Sequence, residues 1–334
     1  MKKLLVALLV VLAMTSCNSF KVNVNLENST DKTISLQRYD CDELKTIETV
    51  VAKDNMAVFK VKKSKNTDAL HIMIDGWRRP LAFFADNKDV TITGDCQKYN
   101  GIKVEASDSQ IKVNGIMEEA AKTDDDDILF GIVKDYVRAN TGNPTGPYML
   151  YRYKWLFSQQ DLRDLLNSVP KNMMSGYRDL TVQYLKGLEL TNEGNPYIDF
   201  TQKDVNGNDF SMSAYVNQKK AKVIVLDFWA SWCPDCRKEN PGLVAVYNRF
   251  KDKGLDIISV SLDTDEEAWK KAIANDKLTW ENHVSDLKGW KNAVAEQYTI
   301  AFIPQNLILD ENGIILEKNL PIEKMDDLFG SILK

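Results

Sequence analysis

Two cysteines in Trp232-Cys233-Pro234-Asp235-Cys236 are the residues of this chain best suited to chemistry. A Cys-x-x-Cys pair closes a small disulfide or, with further ligands, helps to hold zinc. The neighbouring residues decide between these. Before the pair, Lys222-Val223-Ile224-Val225-Leu226-Asp227-Phe228-Trp229-Ala230 is short, β-branched and nearly all apolar, as a strand covered on both sheet faces must be. After it, Leu243, Val244, Val246, Tyr247 and Phe250 recur at helical spacing. The thiols therefore stand where a strand gives way to a helix. At a helix N-terminus, unpaired backbone N–H groups and the dipole stabilise a thiolate, which makes Cys233 the candidate nucleophile. Zinc would need four ligands. There is no second Cys-x-x-Cys pair, and His71 and His283 lie far apart, so no metal is expected.

Two more residues bear on this chemistry. Asp227 lies inside the apolar run, where an ionised carboxyl is costly and desolvation favours the protonated form. An acid near Cys236 can take and return the proton of a resolving thiol; the plainer reading is a side chain that finds water at a sheet edge. Pro304 precedes the strand-like Gln305 to Leu309. It is either an ordinary strand start or, with a cis Ile303–Pro304 bond, a place where free backbone groups hold a substrate strand.

The elements that position these residues read as one α/β unit. Ile198–Thr201 and Val205–Phe210 are short strands about an Asn206-Gly207 turn. Gly254 to Ser261 is a second buried strand, one crossover helix away from the first, which gives a parallel βαβ unit. Helices are expected from about Asp265 to Asn275 and around Trp290 to Tyr298. Strands at Gln305–Leu309 and Ile314–Glu317 meet at Asp310-Glu311-Asn312-Gly313, and Ile322, Met325, Leu328, Phe329 and Ile332 make a final amphipathic helix.

With Leu226 to Cys236, Tyr298 to Asn306, Leu307 to Asp310 and Asn312-Gly313 read together, the region from Pro196 to Lys334 resembles the thioredoxin-like family, and within it the exported TlpA/ResA-type thiol–disulfide oxidoreductases. The resemblance implies that Cys233 attacks, Cys236 resolves, Asp227 carries the proton and Pro304 is a cis-proline facing the pair. It also implies substrate contacts at Trp232, Pro234 and Ile303, and no cofactor beyond the redox-active disulfide. Ala301-Phe302 replaces the smaller Gly-containing turn frequent before this proline, so a different substrate groove is expected. Asp235 sets a negative charge beside the nascent thiolate, which favours the disulfide form and makes a better reductant. Arg237 and Lys238 act in the opposite sense; reduction is the expected direction.

Upstream, the fold class is multidomain. Residues 17–108 are expected to form an antiparallel, sandwich-like β domain, from alternation at Val22, Val24 and Leu26, at Ile34 and Leu36, at Leu70, Ile72 and Ile74, and at Val90 and Ile92. Trp77, Leu81, Phe83 and Phe84 read as core. This region resembles the domain of unknown function that precedes such modules in some Gram-negative lipoproteins, a likeness that carries no activity. Residues 109–192 read as a helical segment, with Asp124 to Asp127 at one helix start and Ser158 capping another; the acidic run lacks the ligand spacing of a calcium loop. The linker Thr191–Pro196 opens the thioredoxin-like region, 193–334.

The N-terminus reads as a targeting segment: Lys2-Lys3, an apolar run from Leu4 to Ala13, then Met14-Thr15-Ser16-Cys17. It is shorter than the ~20 apolar residues of a spanning helix. It resembles a bacterial lipoprotein signal peptide, residues 1–16, with lipidation at Cys17; an ordinary signal peptide with an incidental cysteine is the other reading. Export permits disulfides, so Cys41 and Cys96 form a structural bridge or remain separate thiols, and their spacing does not choose. Net charge is −5 for 334 residues without a basic cluster, which argues against a nucleic-acid partner. The expected function is thus a periplasm-facing, membrane-anchored oxidoreductase that reduces disulfide-bearing envelope proteins and is recharged by a membrane electron donor. One alternative is a peroxiredoxin-like peroxidase, although its Pro-x-x-x-Thr-x-x-Cys signature is absent around Cys233. The other is a non-enzymatic envelope scaffold lipoprotein with a vestigial thioredoxin module, against which both thiols and Asp227 speak.

Overall fold

In the first strand, Val22, Val24 and Leu26 turn inward while Lys21 and Asn25 face out, the period-two alternation of a half-buried strand. The protein is described by a computed structural model over residues 18–40, 43–64, 69–171 and 176–334. The expected signal peptide, Cys17 and Cys41 lie outside the described residues. Two compact units divide the chain, residues 1–182 and 183–334.

The first unit begins with strands β1 (Ser19–Glu27), β2 (Thr33–Asp40), β3 (Glu43–Val51), β4 (Met56–Lys62), β5 (Ala69–Ile74), β6 (Leu81–Phe84), β7 (Val90–Asp95) and β8 (Lys103–Glu105). They make two four-stranded sheets, ordered β4-β1-β7-β8 and β3-β2-β5-β6. Val22, Phe59 and Ile92 of one sheet and Ile34, Leu36 and Ile72 of the other share a core, which makes the pair a sandwich. Pairing is antiparallel except between β1 and β7, which run parallel and refine the all-antiparallel expectation. Phe83 and Phe84 are fully buried, whereas Trp77 and Leu81 only lean on the core. Cys96 is a buried free thiol whose Sγ donates to Asn28 O at 3.0 Å.

Helices follow: α1 (Asp108–Ala120), α2 (Asp126–Ala139), α3 (Thr145–Arg152), α4 (Gln159–Ser168) and α5 (Tyr177–Leu190). Their starts are chemically marked. Asp125 Oδ1 accepts from Asp127 N and Ile128 N, so the acidic run caps α2. Ser158 Oγ accepts from Asp161 N at 3.1 Å and buries Leu162, Leu165 and Leu166 behind it in α4.

In the second unit, β9 (Thr201–Lys203) and β10 (Asp209–Ser211) form a hairpin that leads through α6 (Met212–Asn217) into β11 (Val223–Trp229). Then come α7 (Pro234–Phe250), β12 (Leu255–Ser261), α8 (Glu266–Asp276), β13 (Asn282–Val284), α9 (Ala293–Gln297), β14 (Gln305–Asp310), β15 (Ile315–Lys318) and α10 (Ile322–Ile332). The sheet order is β13-β12-β11-β14-β15, parallel on the β12 side of β11 and antiparallel on the β14 side. β11 is central, and all seven of its residues are buried, as its unbroken apolarity requires. α10 packs on α7 through the edge-to-face pair Phe250–Phe329. The β14–β15 hairpin turns on Gly313 at φ +79°, with Asp310 Oδ1 accepting from Asn312 N and Ile314 N. The helix expected from Trp290 to Tyr298 is shorter. Buried Asn292 interrupts it and caps α9 by accepting from Val294 N and Ala295 N.

Candidate active site

β11 delivers the chain from the sheet centre into the turn Ala230-Ser231-Trp232, and Cys233 is the N-cap of α7. Pro234 takes the first helical position, where its missing N–H costs nothing. Cys233 and Cys236 form a disulfide, and Cys233 Sγ accepts from the Cys236 backbone N–H at 3.1 Å. In the reduced protein the same donor and the helix dipole stabilise negative charge on this sulfur. Both cysteines are covered in the disulfide form, Cys233 4% and Cys236 1% exposed. The Ile303 carbonyl oxygen approaches Cys233 Sγ to 3.8 Å.

The turn is fixed from two sides. Asp263, fully buried just beyond β12, accepts from Ser231 N at 2.9 Å, Ser231 Oγ at 2.5 Å and Ser261 Oγ at 2.7 Å. Three donors offset the desolvation of that carboxylate. On the helix side, Arg237 Nη1 donates to Ser231 O at 3.1 Å while its guanidinium is paired with Asp276, which Asn240 also contacts. The Arg237 charge that was set against Asp235 is thus committed to Asp276.

Asp227 lies beneath the pair. Its Oδ2 accepts from Ser259 Oγ at 3.0 Å, and Ser259 Oγ accepts in turn from Trp280 Nε1 at 3.0 Å. Burial pushes the Asp227 carboxyl up to about 7, with the Ser259 hydroxyl opposing and the charge of Glu239 adding to the rise. The sheet-edge reading of Asp227 fails because β11 is the central strand. A cavity of about 10 Å³, lined among others by Asp227, Cys236, Glu239, Asn240 and Pro304, is the size of one water. Asp227 and Cys236 thus line the same small cavity.

The rim is aromatic. Trp232, Trp290 and Phe302 are 49%, 49% and 41% exposed, and the Trp232 and Trp290 ring centroids are 6.1 Å apart. Trp232 spends its indole N–H on Leu262 O at 3.2 Å. The Ile303–Pro304 peptide is cis, and Gln305 steadies the loop before it, accepting from Ala301 N and donating to Asn319 Oδ1.

Of the residues singled out in the sequence, Cys233, Cys236, Asp227, Pro304, Trp232, Pro234 and Ile303 belong to this one region, and Cys17 lies outside the described residues. Asp263, Glu239 and Trp290 were missed. Glu239 had a usable signal, one turn along α7 from Cys236. Asp263 and Trp290 are carried in by the sheet and by the segment after β13. Among the described residues, no group of three or more His, Cys, Asp or Glu side chains could hold a metal ion, and no helix is long and apolar enough to cross a membrane.

Residues 194–318 match the AhpC/TSA family, and residues 20–116 match a domain of unknown function, DUF4369. The thioredoxin-like protein YneN of Bacillus subtilis is 30% identical over 147 residues, 43% of this chain and 81% of that protein. The chain belongs to the thioredoxin-like AhpC/TSA family. Another family member, the thiol-disulfide oxidoreductase ResA of Bacillus cereus, is 30% identical over 115 residues, 34% of this chain; the chain spans 64% of that relative's length. Among solved structures, the thioredoxin domain of a thiol-disulfide oxidoreductase from Bacteroides vulgatus is 37% identical, with 43% of this chain and 99% of that chain covered and a TM-score of 0.39.

Proposed function

We propose that this protein is an envelope thiol–disulfide oxidoreductase that works as a reductase of protein disulfides. The observation that carries the reading is the meeting of a Cys233–Cys236 disulfide at the start of α7 with a buried, protonatable Asp227 across a single-water cavity. In the reduced protein, the Cys233 thiolate attacks one sulfur of a client disulfide, and the other client sulfur leaves as a thiolate. The Cys236 thiol then gives its proton through the cavity to Asp227, attacks Cys233 Sγ and releases the second client thiolate. The client gains two electrons and the protein is left as the disulfide described here. A membrane electron donor restores the dithiol, and no cofactor takes part beyond the cysteine pair. Trp232, Pro234 and Ile303 contact the client beside Cys233, and Pro304 holds the loop that faces it.

Commitment of Arg237 to Asp276 leaves Asp235 beside the thiolate, which supports the reducing direction. Anchoring by lipid at Cys17, after removal of residues 1–16, would hold the site at the periplasmic side of a membrane. Replacing Cys236 with Ser tests the cycle: the reduced variant accumulates a mixed disulfide through Cys233 with a disulfide-bearing client such as insulin. Wild-type insulin reduction without any trapped adduct would overturn the mechanism.

A further inference from the structure

We propose that the loop end of the N-terminal sandwich is a binding site for a small anionic molecule that carries a carboxylate or phosphate on a ring. A cavity of about 480 Å³ opens there, within the range of small-molecule pockets. Segments of both sheets build it: Lys32 before β2, Asp75 to Arg79 between β5 and β6, and Cys96 to Asn100 between β7 and β8. Loops gathered at one end of a rigid sandwich are a usual place for a binding site.

Its charge selects the ligand. Lys32, Arg78 and Arg79 face one carboxylate, Asp75, and Asp75 Oδ2 already accepts from Thr33 N at 3.1 Å. Among the described residues neither Arg78 nor Arg79 takes part in an ion pair. In a chain whose net charge is −5 this is a local excess of cations.

Its aromatic wall supplies the second half of the recognition. Trp77 and Tyr99 meet edge to face with centroids 4.9 Å apart. Both polar groups are already paired, Trp77 Nε1 donating to Cys96 O at 2.7 Å and the Tyr99 hydroxyl to Pro80 O at 2.9 Å, which leaves the ring surfaces as what the two can add to recognition. The Arg79 guanidinium carbon sits 4.8 Å from the Tyr99 centroid, so the fork is held against a pinned ring before any ligand arrives. A planar fork pre-organised in this way binds a carboxylate or phosphate in two-point fashion at reduced entropic cost. A neutral ring would leave the cations unused, and a cationic one would be repelled.

The test uses the whole chain with phenyl phosphate as probe, followed by NMR at the Trp77 indole N–H, which a Trp77→Phe variant assigns. A saturable shift is expected that inorganic phosphate reproduces only weakly and phenol does not reproduce. Benzoate in place of phenyl phosphate decides which acid the site prefers. Arg79→Ala and Arg78→Ala should each weaken binding by about tenfold or more, as loss of a charge-assisted hydrogen bond does. Lys60→Ala, an exposed cation on β4 outside the cavity, should leave it unchanged. No saturable shift with either acid, an equal shift with phenol, or undiminished binding in both arginine variants would overturn the proposal. None of these readouts depends on the cysteine pair.

Discussion

Replacement of Asp227 by Asn separates the proton carrier from the fold and has a signed, measurable consequence. The carboxyl goes from 3.8 in the unfolded chain to about 7 in the folded one, and at 1.36 kcal/mol per pH unit that difference is about 4 kcal/mol. The folded state binds the proton more tightly. Stability from this group is therefore complete below the unfolded value, falls as pH rises from about 4 to about 7, and stays low above that. Asn carries no such dependence, though it alters the bond from Ser259, a roughly pH-independent change of about 1 kcal/mol. Urea unfolding of the oxidised wild type and Asp227→Asn, at about pH 5 and about pH 8, gives the contrast directly: the wild type should lose stability relative to the variant by about 3 kcal/mol across the interval. The same variant should form the mixed disulfide normally but resolve it on the order of 10²-fold more slowly, the size of a general acid–base contribution. Stability curves that stay parallel with pH, together with unimpaired resolution, would refute the reasoning.

Other outcomes follow from groups near and far from the cysteines. Burial lowers both His71 and His283 to about 4 from the usual 6.5, so each contributes stability above 6.5 that disappears as pH falls towards 4, about 3 kcal/mol apiece. His283→Gln should flatten the acid limb of the unfolding profile, and an unchanged limb would contradict the burial argument. Asp263→Ala leaves Ser231 N–H, Ser231 Oγ and Ser261 Oγ without their acceptor and should cost about 3 kcal/mol by denaturant unfolding. It should also slow insulin reduction, because the turn before Cys233 loses its anchor.

Legibility in the sequence followed how local each signal was. The Cys233–Cys236 junction, the Ser158 cap and the Asp310–Gly313 hairpin rest on neighbours a few residues apart, and they stand where those neighbours put them. Asp227 was readable because a lone acid in an apolar strand has few explanations. β3 was missed for the opposite reason: as an edge strand with most side chains exposed, it has no alternation to read. β6 and β8, of four and three residues, are too short for a period. Asp263 stands in Leu262-Asp263-Thr264-Asp265, where no neighbour in sequence marks it out. Only the parallel register of β12 beside β11, Trp229 opposite Ser261, brings it under Ser231. The parallel β1–β7 pair was invisible too, since alternation says which face a residue takes and nothing about strand direction.

The all-buried β11 carries a hazard before it carries a function. Val223 to Trp229 has the composition of a segment that stacks into intermolecular sheets whenever a chain is unfolded: β-branched, aromatic and free of proline. Asp227 is its single ionisable side chain. In the unfolded chain that carboxyl returns to its ordinary range and is anionic at neutral pH, a gatekeeper charge in the middle of the sticky run. In the folded protein the same group takes up a proton near neutrality and joins the apolar interior. The residue that interrupts the sticky run in the unfolded chain is, inside the sheet, the one that lines a cavity with Cys236.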